Sequence, residues 1–388
     1  VTAISPEQPA ILDLVTRLRA AELVAGAENK ADQRSAIISA LNGAVTLEFA
    51  TIPPYLTALW TIRDERHPLA NSLRNILQEE MLHLALVCNM LASIGGEPRI
   101  NSAAPTYPGK LPLGVHPELT IPLGRFSKEM LQVFMEIERP AHIDPAHEII
   151  DEEIGIDGHG DFTIGQLYGK ILSAFQQLDP EFSQDRQVTG PLSWIPILSL
   201  EDVAKAIDII ERQGEGSIGR PEERRGHLAH YWRFAEMYHL QQLEKDANGA
   251  WRLGAPIEFD FDADVWPVAN VPEGGYQLDE AAEPEARHLL RQFNLTYSKL
   301  LDCLQGTWSG DSGQAMILKA IEAMFDLEKY AKPLMQMRRP GGESNYGPDF
   351  RYIPAYEREG SSWPVMATNI GELSEPSDLL LRATPSGI

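Results

Sequence analysis

The chain has 388 residues, 43% of them hydrophobic, and 56 acidic side chains against 33 Lys and Arg, a formal net charge of -23. That apolar content can build a full core, and at roughly 150 residues per domain the length fits two domains or one with large additions. The acidity repels a phosphate backbone, no basic stripe interleaved with aromatics offsets it, and nucleic acid is excluded as an expected partner.

Residues 1–25 mix Glu7, Asp13, Arg17, Arg19 and Glu22 into an apolar pattern, which reads as an amphipathic helix and not as a signal peptide. A first core helix is expected over about 36–62, where Leu41, Val45, Leu47 and Ile52 surround one carboxylate, Glu48. Pro53 and Pro54 are expected to interrupt it with a kink or bulge close to that carboxylate. A second helix, about 69–95, begins near Asn71 and stops at Gly95, Gly96 and Pro98, with Leu77, Glu80, His83, Leu84 and Cys88 on its buried face. Its apolar run is broken by His83 and Asn89 and is too short to cross a bilayer, so no membrane span is expected.

After an irregular connection, a third helix over about 126–139 carries Leu131, Phe134 and Glu138 on one face and is ended by Pro140. A long acidic crossover follows, with helices over 163–177 and 200–213 and a surface loop over 151–161. Pro221 is placed to open a fourth helix, about 221–244, through His227, His230 and Phe234. The expected division is a metal-binding domain over 1–248 and, over 249–388, an irregular segment with helices at 283–304 and 313–337 packed on the bundle. Residues 251–275 have the alternation of a short strand pair. Cys88 and Cys303 lie too far apart in sequence for a clustered thiolate site or a disulfide framework, which makes a reducing cytoplasm the expected setting.

The chemistry resides in the helices. Glu80 and His83, three residues apart, share one helical face and can reach one metal ion. Glu48 and Glu138 sit among apolar neighbours, where an unpaired carboxylate is costly to bury and a metal would remove that cost. His227 and His230 repeat the three-residue spacing on the fourth helix. The ordered set Glu48, Glu80, His83, Glu138, His227 and His230 is the arrangement of dinuclear carboxylate proteins. The plainer alternative is that Glu79, Glu80, Glu136 and Glu138 are solvated charges and His83 a satisfied core histidine. Tyr55, Tyr168 and Arg233, with Gln166 and Tyr231, are candidates to orient ligands or contact an oxidant, and the first three are the candidate catalytic residues.

These residues also carry a family resemblance. The segments Leu47-Glu48-Phe49-Ala50-Thr51-Ile52-Pro53-Pro54-Tyr55-Leu56, Glu79-Glu80-Met81-Leu82-His83-Leu84, Ile137-Glu138-Arg139-Pro140, Gln213-Gly214-Glu215-Gly216 and His230-Tyr231-Trp232-Arg233-Phe234 resemble the ferritin-like domain of the iminophenyl-pyruvate dimer synthase family, named for enzymes of the violacein and rebeccamycin pathways. Gly347-Pro348-Asp349-Phe350 is similar to a later block in some relatives. The resemblance implies a mainly α fold, a ferritin-like four-helix bundle with a long crossover and a C-terminal helical extension. It also implies Glu where this chain has His227, so the second metal position is altered, single, or served by Glu223.

Mixed oxygen and nitrogen ligands favour iron, one ion or two, with manganese as the alternative. The leading expectation is a non-haem metal oxidase or oxygenase acting with dioxygen or peroxide on a small aromatic or amino-acid-derived molecule in biosynthesis. A coupling synthase like the family namesake and a non-catalytic metal-binding or storage protein are the alternatives. Oligomeric state is left open, a homo-oligomer included. Gly214-Glu215-Gly216-Ser217-Ile218-Gly219 matches the dinucleotide fingerprint but follows a helix, not a strand, and is set aside. His142 and His147 belong to an acidic loop, with His142 a reserve ligand four residues after Glu138.

Overall fold

The computed structural model describes residues 29–140, 162–189, 194–216, 227–247, 251–279, 281–310 and 313–358, which are mainly α-helical with one two-stranded sheet. Helix α1 (Lys30–Thr61) starts where Asn29 Oδ1 accepts the backbone N–H groups of Ala31 and Asp32 at 2.9 and 3.1 Å. It passes through Pro53 and Pro54 without ending. A proline at 54 leaves the Ala50 carbonyl without its helical donor, and the Tyr107 hydroxyl donates to that carbonyl at 2.7 Å instead. Thr57 donates to the Pro53 carbonyl at 2.8 Å. The helix expected over about 36–62 is thus unbroken across both prolines, and the Ala50 carbonyl that Pro54 frees finds a partner.

Helix α2 (Pro68–Ser93) is capped by His67, whose Nδ1 accepts the Leu69 N–H at 3.2 Å, so its start lies ahead of Asn71. Arg34, early in α1, donates to the Ile94 carbonyl just beyond α2 at 2.8 Å, which makes the two helices antiparallel neighbours. Helix α3 (Lys128–Ile137) opens on Ser127, whose Oγ accepts the Met130 N–H at 3.2 Å, and closes on Glu138 two residues before Pro140. In the crossover, α4 (Ile164–Leu178) carries a Thr163/Gln166 capping box, and α5 (Leu200–Gly214) is capped by Ser199. These two pack on each other, α4 also against α1 and α5 against α2.

The fourth bundle helix, α6 (His230–His239), is shorter than expected. Its described part begins at His230 with Ala229 extended ahead of it, and Leu240 in the left-handed region (φ 53°) ends it. Gln132 donates to the Tyr238 hydroxyl at 3.3 Å while Glu138 lies beside His230, so α3 and α6 also run antiparallel. Strand β1 (Gln241–Lys245) then pairs antiparallel with β2 (Trp251–Pro256), one strand ahead of the stretch expected to hold both.

Helices α7 (Pro284–Thr307) and α8 (Gly313–Gln336) pack chiefly on each other, with α8 touching α1. Residues 338–352 are not helical, yet Tyr346 and Phe350 are buried. The chain divides into a unit ending at Tyr352 and a second beginning at Ile353, whose described part holds the short helix α9 (Ala355–Arg358). Helix α1 is long and apolar enough to span a membrane by composition alone, but most of that apolar stretch is buried in protein. The expected N-terminal helix, the loop over 151–161, His142, His147, Pro221 and Glu223 lie outside the described residues.

Candidate metal centre

Glu48 comes from the middle of α1, Glu80 and His83 from the facing turn of α2, Glu138 from the C-cap of α3 and His230 from the first turn of α6. All five are buried, at 4, 2, 2, 3 and 0% exposure, which removes the solvated-charge alternative for Glu80 and Glu138. Two triads form around a shared carboxylate. Glu48, Glu80 and His83 offer ligand atoms within 4.8 Å of one another, and so do Glu80, Glu138 and His230.

Both imidazoles turn Nδ1 inward. His83 Nδ1 is 3.7 Å from Glu48 Oε2 and 3.6 Å from Glu80 Oε1, beyond direct hydrogen bonding. His230 Nδ1 is 2.8 Å from Glu80 Oε1 and 3.7 Å from Glu138 Oε1, yet it has the alignment of a hydrogen bond to neither. Each ring then uses Nε2 outward, His83 toward Gln213 Oε1 and His230 toward Glu79 Oε2, both at 2.8 Å. A metal-ligating histidine characteristically donates its other nitrogen to a fixed acceptor in this way.

The carboxylates are held from behind. Thr51 Oγ1 reaches Glu80 Oε2 at 2.6 Å, the Tyr55 hydroxyl donates to Glu138 Oε1 at 2.7 Å, and the Tyr168 hydroxyl donates to Glu48 Oε1. Arg233 donates to Glu79, the carboxylate behind His230. Tyr55, Tyr168 and Arg233 therefore stand behind the convergent groups, each bound to a carboxylate.

Two of the buried carboxylates shift in opposite directions: burial works against the Glu80 charge, but the His230 and His83 contacts outweigh it and hold Glu80 well below the usual carboxylate range. Burial, with help from the Glu80 and Glu138 charges, pushes Glu48 up to about 8 against the pull of His83 and Tyr168. Burial disfavours charge on His230 as well, but its Glu138, Glu79 and Glu80 partners outweigh burial and raise it well above the usual range. Protons thus hold the cluster together where a cation would serve, and a divalent ion would displace them. The mixed oxygen and nitrogen donors of the two triads, with a buried His230 Nδ1 that faces Glu80 without an aligned hydrogen bond, fit a metal.

His227 does not join the cluster. It is exposed and precedes α6, so the three-residue spacing to His230 does not place both on one helical face. The outward partner of His230 is Glu79, and that of His83 is Gln213, at the end of α5; neither role was read from the sequence. Thr51 was missed too, although it lies one turn after Glu48 and so shares its face. The doubled Glu79-Glu80 was the available signal for the first.

A narrow recess with room for about one water molecule, part of it open to solvent, reaches the centre. Glu48, Thr51, Glu80, His83 and Glu138 line it together with Leu47, Ile164, Ile210, Glu211, Gly214 and Glu215. Gly165, in the first turn of α4, donates its N–H to Glu215 Oε1 at 2.7 Å, and a Cβ there would come within 2.7 Å of that carboxylate. Glu211, partly exposed, is lifted to about 7 by burial and by Asp208.

Comparison with known proteins bears on this site. A family model described as Ferritin-like matches residues 41–239, over half the chain and all five convergent residues. The dichlorochromopyrrolate synthase of Lentzea aerocolonigenes is 26% identical over 266 residues, which are 62% of this chain and 25% of that protein. The chain thus spans about a quarter of the length of the curated relative it matches. A ferritin like protein from Caulobacter vibrioides superposes with a TM-score of 0.54 at 19% identity, over 82% of this chain and 97% of that one, a likeness of fold.

Proposed function

We propose, from the premise that this chain belongs to the ferritin-like family, that it is a non-haem iron or manganese oxidase or oxygenase acting on a small aromatic or amino-acid-derived molecule. The coarser part, a metal-dependent ferritin-like protein, rests on the fold and on the two carboxylate–histidine triads. One observation carries the finer reading: Glu48, Glu80, His83 and Glu138 line a recess that is in part open to solvent.

Glu48, Glu80, His83, Glu138 and His230 would hold the metal, and when bound it supplies electron transfer between an organic substrate and dioxygen or peroxide. The chain's own residues do the rest. Leu47, Ile164 and Ile210 add apolar lining to the recess beside these groups and limit the water that reaches them. Tyr55, Tyr168 and Thr51 fix the carboxylate rotamers. Glu211, titrating near neutrality, can hold or release a proton in the lining of the recess. The cytoplasm is the setting we assign, with Cys88 and Cys303 as free, buried thiols.

A coupling synthase activity is the second reading, favoured by the likeness to dichlorochromopyrrolate synthase. Metal analysis of the purified protein tests the shared premise. Iron or manganese is expected in the wild type and absent from Glu80→Ala/His83→Ala, with helical content retained. Full occupancy in that double variant would remove the site from consideration. Substrate-dependent dioxygen uptake by the loaded protein separates the oxidase from a protein that only holds metal.

A further inference from the structure

The two triads are not equivalent, although they share Glu80. They differ first in access. Of the two imidazoles, His83 lines the recess and His230 does not. They differ again in the group behind each imidazole. His83 Nε2 faces the side-chain amide of Gln213, which is neutral. His230 Nε2 faces Glu79, an anion that Arg233 keeps in place.

A carboxylate accepting the outer N–H makes an imidazole more basic and fixes its tautomer, and such partners typically change metal affinity by about 10–100-fold. A neutral amide orients the ring without that gain.

We propose that the centre is graded: the His230 triad retains its ion, the His83 triad exchanges it and is where a small molecule arrives, and Glu79 and Gln213 are the positioning residues that set the difference. The inference rests on the metal reading above and goes further by assigning the two halves separate roles.

The test is titration of the full, metal-stripped chain with Mn(II) alone, followed by calorimetry and by the electron paramagnetic resonance of free Mn(II). Two binding events of unequal affinity are expected in the wild type. Glu79→Gln, equal in size, should weaken the tighter event about 10–100-fold and leave the weaker unchanged. Gln213→Glu should tighten the weaker event, a gain that a damaged fold would not produce. Two equal events, a single event, or a Glu79→Gln effect falling on the weaker event overturns the grading. No Mn(II) binding at all would instead overturn the metal centre, which keeps the two failures distinct.

Discussion

Acids are buried in two regions of this chain, and the contrast shows what each region is for. In the C-terminal part, Asp349 stands alone: Asn294 donates to it at 2.7 Å, Arg351 Nε pairs with it at 2.8 Å, and its neighbour Phe350 packs on Phe293 and stacks with Trp60. Burial still raises its pKa, but protein groups answer the charge. At the bundle centre Glu48, Glu80 and Glu138 crowd together with two imidazoles, and no Lys or Arg is ion-paired to any of the three among the described residues. The first arrangement is complete as a structure. The second answers its carboxylates with hydroxyls and two imidazoles, a convergent donor set that a cation would fit, which is why we read it as a site.

If that contrast is right, damage to the two regions has different consequences. Phe350→Ala removes a fully buried ring and should cost about 3–5 kcal/mol in denaturant unfolding. Metal content per folded molecule should not change; a loss of metal would mean that the extension helps to build the site. Removing metal with a chelator should destabilise the wild type by about 3 kcal/mol relative to protein in ~100-fold excess metal over Kd. The Glu80→Ala/His83→Ala variant should show no such difference, and an equal shift in both would place the ion elsewhere.

Tyr168→Phe deletes one hydrogen bond to Glu48 and should weaken metal binding about tenfold, roughly 1.4 kcal/mol, with little effect on the fold. An unchanged affinity would make Tyr168 a packing residue only. The smallest effect concerns pH. Glu211 has a folded-state pKa of about 7 against the ordinary 4.5, so its contribution to stability is present below 4.5 and is lost as pH rises through 7. Because the group is partly exposed, the discounted effect is on the order of 1 kcal/mol. Glu211→Gln should flatten the stability profile of metal-free protein between pH 4.5 and 7; an unchanged slope would place the titration on another group.

Much of this was legible in the sequence, for identifiable reasons. Glu48, Glu80, His83, Glu138 and His230 could be assembled because each lies among apolar neighbours, Glu80 and His83 together on one face, and helical period converts spacing into direction. His227 failed for the same reason, since the spacing argument presumes a helix and the described α6 begins only at His230. The persistence of α1 through two prolines depended on Tyr107, 57 residues from the carbonyl it satisfies, a contact that no local rule supplies. Glu79 and Gln213 were hidden because their role is to face a histidine on another helix, which packing decides and periodicity does not.

The central claim is that side chains from α1, α2, α3 and α6 surround metal at one buried point. Anomalous scattering at the iron or manganese edge, from crystals of the metal-loaded protein, tests it most directly. The account predicts a peak within bonding reach of Glu80 and of His83 or His230, with Glu48 and Glu138 on either side. A fully loaded protein whose peak lies elsewhere, with these five side chains paired only to one another, would contradict it.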